Sequence, residues 1–101
     1  MRNTYYKIVA NPNGIALIDV CEYGDAPGML IPRVNVPPGH RRKGIATKLF
    51  EELLNDADSE KVTLHLWINS YGEMTYDQLY DWYVKLGFVE QSNGVLRRDP
   101  R

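Results

Sequence analysis

At 101 residues the chain is long enough for one domain with its own core and too short for two. Hydrophobic residues at 44% and charged residues at 25% describe a soluble globular protein. The net charge of −1 provides no overall basic field, which argues against nucleic acid and anionic membrane as partners.

The opening Met1-Arg2-Asn3-Thr4-Tyr5-Tyr6-Lys7 lacks the apolar core of a signal peptide, and no later apolar run reaches membrane-spanning length. A cytoplasmic location is the expectation. Tyr5 to Ala10 is β-prone and ends at Asn11-Pro12-Asn13-Gly14, a dense turn signal. Ile15 to Glu22 forms a second strand. It holds Cys21, whose solitary state excludes an internal disulfide and which reads as a buried small residue in a reducing compartment. After the break at residues 23–28, Met29 to Val36 forms a third strand, stopped by Pro37-Pro38-Gly39. Three strands joined by short turns predict an antiparallel meander.

A helix is predicted from Gly44 to Asn55, with Ile45, Leu49 and Leu53 on one face, followed by a polar connection over Asp58-Ser59-Glu60-Lys61. Val62 to Ile68 is a fourth strand, and a right-handed helical crossover makes it parallel to the third. Residues 69–74 are a loop. The second helix opens at Thr75, which has capping-box spacing to Gln78, and stops at Gly87. Phe88 to Gln91 and Val95 to Arg98 predict a closing hairpin around Ser92-Asn93-Gly94. The fold class is therefore mixed α/β, in a single domain spanning residues 1–101.

The chemistry concentrates where the third strand runs through Val36 into His40-Arg41-Arg42-Lys43-Gly44-Ile45-Ala46-Thr47 and then into the helix. A strand, a glycine-bearing loop and a helix start aim several backbone N–H groups at one spot, with the positive end of the helix dipole behind them. Such a spot favours phosphate. Arg41, Arg42 and Lys43 add local positive charge there. Read without further context, the same residues also suit an ordinary helix start with solvated basic side chains.

Arg41-x-x-Gly44-x-Ala46 resembles the pyrophosphate loop of the GCN5-related N-acetyltransferases (GNAT family). Tyr83-Val84-Lys85-Leu86-Gly87-Phe88 is similar to the family's Tyr-x-x-Leu-Gly-Phe helix end. Either motif alone is common; the two in this order, with a strand between them, are fairly specific. The resemblance covers Met29 to Phe88, and the flanking meander and hairpin suit the same fold. Typical members carry two helices ahead of the meander. This chain reaches a strand almost at once, so the acceptor side is expected to be open or completed by a second subunit, as in a homodimer. The compact layout is also similar to small phage-encoded acetyltransferases, the anti-CRISPR kind included.

The resemblance implies transfer of an acetyl group from acetyl-CoA directly to an amine, with no metal. Arg41, Arg42, Lys43, Gly44, Ile45, Ala46 and Thr47 would grip the diphosphate. The main chain of Val34 and Val36 would pair with pantetheine where the third and fourth strands splay, and both also suit core-facing strand positions. Asn69 could reach pantetheine or cap a turn. Tyr83 would protonate the leaving thiolate: a thiol ionises at about 8.5 and a phenol at about 10, close enough to share a proton. It also belongs to the apolar stripe of its helix. No general base stands out. Glu22, Asp25 and Glu73 qualify by location only, a water chain would also serve, and His40 and His65 are assigned no role. No metal-ligand spacing is present.

Tyr71, Tyr76, Tyr80, Trp67 and Trp82 crowd the region from the fourth strand through the second helix, as a broad core face, a subunit interface or an acceptor surface. The acceptor itself is left open between a protein amine and a small amine. A module that binds acetyl-CoA without turnover, or one that serves protein interaction, is the alternative function.

Overall fold

Strict alternation in β2 (Gly14–Glu22) decides which face of the sheet is covered. Ala16, Ile18 and Val20 are buried, while Ile15, Leu17, Asp19 and Cys21 turn the other way. The structure, a computed structural model, describes residues 1–9, 14–24, 27–36, 44–69 and 74–101. The turn at residues 11–13, Ala10, Asp25, the stretch from Pro37 to Lys43, Tyr71 and Glu73 lie outside the described residues.

β1 (Thr4–Val9) pairs antiparallel with β2, and β2 with β3 (Met29–Asn35). α1 (Ile45–Glu60) then crosses to β4 (Leu64–Leu66), which is parallel to β3, as the crossover rule requires. α2 (Tyr76–Lys85) leads into β5 (Val89–Glu90) and β6 (Leu96–Arg98), giving a six-stranded sheet in the order β1-β2-β3-β4-β6-β5. This is the expected mixed α/β arrangement of meander, crossover helix, second helix and closing hairpin.

Both helices sit on one face. Phe50 of α1 meets Trp82 and Tyr83 of α2 at ring-centroid distances of 5.2 and 5.8 Å. Around this contact Tyr5, Ile18, Leu53, Leu64, Leu66, Phe88 and Leu96 complete one core. Among the described residues no helix covers the opposite face, where Tyr6, Ile8 and Ile15 are exposed. Cys21 is exposed there too, against the expectation of burial, because its place in the alternation sets it opposite Leu30 on the helix-free side.

α1 runs beyond Asn55 to Glu60 and ends at Lys61 in the left-handed region, φ 60°. The residues read as a polar connection are its last turn. The i, i+4 stripe of Ile45, Leu49 and Leu53 continues to Ala57, which is fully buried, so packing carries the helix on. β4 is shorter than the predicted Val62–Ile68, and β5 is only two residues.

The end of α1 is tied down by Arg98, a buried side chain. Its terminal nitrogens donate to both carboxylate oxygens of Asp58 at 2.7 and 3.1 Å, and its Nε donates to the Leu86 carbonyl at 2.9 Å. One guanidinium thus joins α1, β6 and the end of α2, and it holds the Asp58 carboxyl below its ordinary range. Arg98→Ala leaves Asp58 with only the Arg101 N–H, which donates to Oδ1 at 3.0 Å, and is expected to cost about 2 kcal/mol, measured by urea denaturation. A depressed carboxylate contributes stability that is complete above the unfolded value and lost as pH falls through the folded one. The wild-type advantage over Arg98→Ala is therefore expected to shrink below about pH 4.

Candidate active site

The cleft begins as a break in strand pairing. From Asp19↔Arg33 to Cys21↔Leu30, β2 advances two residues and β3 three, so an extra residue bulges from β3 at Ile31-Pro32. Pro32 has no N–H to offer a neighbouring strand. β3 and β4 are paired only at Met29↔Leu64 and Leu30↔His65, and beyond the bulge they part. Gly28 helps set the start of that short pairing. It takes φ +96°, and a Cβ there would collide with the Thr63 carbonyl oxygen.

The opening holds a cavity of about 510 Å³, of ordinary size for a small-molecule site. Its walls come from β3 (Val34) and the following Val36, from Leu66, Trp67 and Asn69 at the end of β4, from Gly44 to Thr47 at the start of α1, and from Leu79, Trp82 and Tyr83 of α2. Every expected site residue within the described part of the chain lies here: Val34, Val36, Gly44, Ile45, Ala46, Thr47, Asn69 and Tyr83. Arg41, Arg42 and Lys43 lie outside the described residues. Trp67 and Trp82, two of the crowded aromatics for which an acceptor surface was one reading, also line the cavity, whereas Ile31, Pro32, Arg33, Leu66, Met74 and Leu79 line it without having been anticipated. Pro32 inside a strand-like run was the one local signal of an irregular strand.

The two helix starts differ. α2 caps itself: the Gln78 N–H donates to Thr75 Oγ1 at 3.2 Å, the Thr75 N–H donates to Gln78 Oε1 at 2.9 Å, and Asp77 occupies the first turn. Among the described residues α1 has no side-chain cap, it has no acidic residue in its first turn, and its first intrahelical bond is Lys48 N–H to the Gly44 carbonyl at 3.0 Å. The N–H groups ahead of Lys48 have no partner within the helix, and the residues that carry them, Ile45 to Thr47, line the cavity. Gly44 makes the turn into the helix at φ 75°, a conformation suited to glycine. Such an end favours an anion.

Tyr83 is both packed and facing the cavity. Its ring is held by Phe50, by Trp82 at 5.1 Å and by Phe88 at 5.7 Å, so its position is fixed by three aromatic neighbours. Its carbonyl accepts from Leu86 and Phe88 N–H as the helix closes. The two readings of this residue, packing and chemistry, are compatible. Among the described residues no carboxylate lines the cavity. Glu22 is exposed at the end of β2, away from the walls, while Asp25 and Glu73 lie outside the described residues. His65 is buried and off the cavity; its Nε2–H donates to the Pro27 carbonyl at 3.0 Å, since a carbonyl can only accept. Among the described residues no group of His, Cys, Asp and Glu is placed to hold a metal ion. None of the described helices is long and apolar enough to cross a membrane. The aromatic residues that crowd the sequence do not make one surface. Trp82 lines the cavity from the helix side, Tyr76 is exposed on α2, and Trp67 stands on the helix-free face beside Tyr23.

The sequence model of the acetyltransferase (GNAT) family matches residues 8–88. The chain belongs to the GNAT family. Its matched stretch takes in the whole cleft, from β3 through Tyr83. Among solved structures, the anti-CRISPR protein AcrVA5 is similar, with a TM-score of 0.64 at 15% sequence identity over 95% of this chain and 98% of that one. At that identity the likeness shows the fold, a GNAT fold reduced to its sheet and two helices on one face. Curated proteins offer no sequence match. The GNAT family typically uses acetyl-CoA, and the apolar cleft with an open helix start at one end suits an elongated ligand bearing phosphate.

Proposed function

We propose that this GNAT protein transfers the acetyl group of acetyl-CoA directly to an amine, with Tyr83 as general acid. The observation that carries the reading is one cleft with the uncapped start of α1 and Tyr83 in its walls. Gly44, Ile45, Ala46 and Thr47 would bind diphosphate through backbone N–H, joined by the side chains of Arg41, Arg42 and Lys43. Val34 and Val36 would lie along the pantetheine arm, with Asn69 on the facing wall. In the transfer the neutral amine nitrogen attacks the thioester carbonyl, the C–N bond forms and the C–S bond breaks. The thiolate takes a proton from the Tyr83 hydroxyl, and the acetylated nitrogen releases one to water. The phenolate then regains a proton from solvent.

A second reading, a module that binds acetyl-CoA without turnover, draws support from the absence of a carboxylate among the described cavity walls. Calorimetric titration with acetyl-CoA, against ATP as phosphate-matched control, tests the shared premise. Selective binding of acetyl-CoA is expected; no heat at millimolar ligand from a folded sample would overturn both readings. Thiol release with an amine acceptor then separates catalysis from binding.

A further inference from the structure

Residues from both faces of the sheet line the cleft. Tyr83 and Trp82 reach it from the helix side, whereas Arg33 and Trp67 reach it from the helix-free face. Arg33 is placed on that face by its partner. Its Nε donates to Asp19 Oδ2 at 3.0 Å, and Asp19 belongs to the outward set of β2. Thr4 Oγ1 donates to the other oxygen of Asp19 at 3.1 Å. Asp19 is thus satisfied on both oxygens, while the guanidinium is held by Nε on a side chain that is 61% exposed and lines the cleft.

Across the splay stands Trp67, 48% exposed. It is not loose: Tyr23 meets it edge-on at 5.7 Å, Tyr23 packs on His65 at 4.5 Å, and His65 is anchored to the Pro27 carbonyl. An exposed indole held by a stack of rings presents a rigid apolar contact face.

Resting on the acetyl-transfer reading, we infer that the acceptor enters from the helix-free face between Arg33 and Trp67, and that it is a primary amine on an apolar stem with a carboxylate at its far end. The guanidinium takes the carboxylate, Trp67 and Pro32 flank the stem, and the amine passes through the sheet toward Tyr83. Amine and anion must therefore be separated along the chain. A free ω-amino acid has this chemistry, and so has a lysine side chain flanked by an acidic residue.

The test uses the protein's two tryptophans, whose indole N–H signals in a ¹⁵N-correlated spectrum report the two sides of the cleft separately. Trp67→Phe assigns the signals. The probes are 6-aminohexanoate, its neutral amide and glycine, with acetyl-capped Lys-Glu and Lys-Gln amides as the polypeptide arm. The expected result is that 6-aminohexanoate or the Lys-Glu peptide moves the Trp67 signal with at least about tenfold lower dissociation constant than its uncharged counterpart, and lower than glycine. Arg33→Met abolishes that discrimination, Arg33→Lys keeps part of it, and neither changes acetyl-CoA titration. Whichever acidic probe discriminates identifies the source. Equal binding of acid and amide in both arms, no shift of Trp67 with any probe, or discrimination that survives Arg33→Met overturns the inference. Failure of acetyl-CoA to bind would instead remove the transfer reading, while the Trp67 titration would still report on the doorway.

Discussion

Replacing Tyr83 with phenylalanine is expected to lower kcat by about 10²-fold, at the low end for loss of a general acid, with acetyl-CoA affinity unchanged. The low end applies because a thiolate is already a fair leaving group and needs only a nearby proton. The substitution isolates the hydroxyl. Phenylalanine keeps the contacts with Phe50, Trp82 and Phe88, so the cavity wall should stand and stability should fall by no more than about 1 kcal/mol. Single-turnover thiol release, with acetyl-CoA binding measured in parallel, separates chemistry from grip. Unchanged turnover in Tyr83→Phe would assign the residue to packing alone, and a water would then be the proton source.

Gly44→Glu should act on binding, raising the acetyl-CoA dissociation constant by about 100-fold or more through two effects that can be told apart. A side chain at φ 75° costs about 1–2 kcal/mol of backbone strain. Among the described residues, its chain neighbours aside, no atom lies within 4 Å of where its Cβ would sit, so strain is the main steric cost. The larger effect is electrostatic: a carboxylate at the uncapped start of α1 satisfies the open N–H groups itself and repels phosphate. Such a carboxylate favours the helix by about 0.3–1 kcal/mol, which offsets part of the strain, so the variant should fold. Gly44→Ala carries the strain without the charge and should weaken binding by less than about tenfold. Calorimetry on the two variants decides; equal losses would make backbone shape, not charge, the basis of the grip.

The features legible in the sequence were those set by short-range chemistry. Turn residues, the Thr75-x-x-Gln78 cap and the apolar stripe from Ile45 fixed the order of elements. A helical crossover from one end of β3 back to the start of β4 then implied that the two strands are parallel. The glycine at the start of α1 and the Tyr83 helix end marked two walls of the cleft before any contact between them was known. Each of these depends on residues within a turn or two of one another.

Tertiary structure decided what depends on pairing across the chain. The bulge at Ile31-Pro32 exists because β3 must keep register with β2 on both sides of it. α1 extends to Glu60 because Ala57 finds the core and Asp58 finds Arg98, 40 residues away. Cys21 is exposed because both described helices pack on the other face. Arg33 and Trp67 share a doorway only because β3 and β4 part just beyond Leu30 and His65. Periodicity says which side chains share a face, but packing chooses which face is covered, and register between distant strands chooses where the sheet opens.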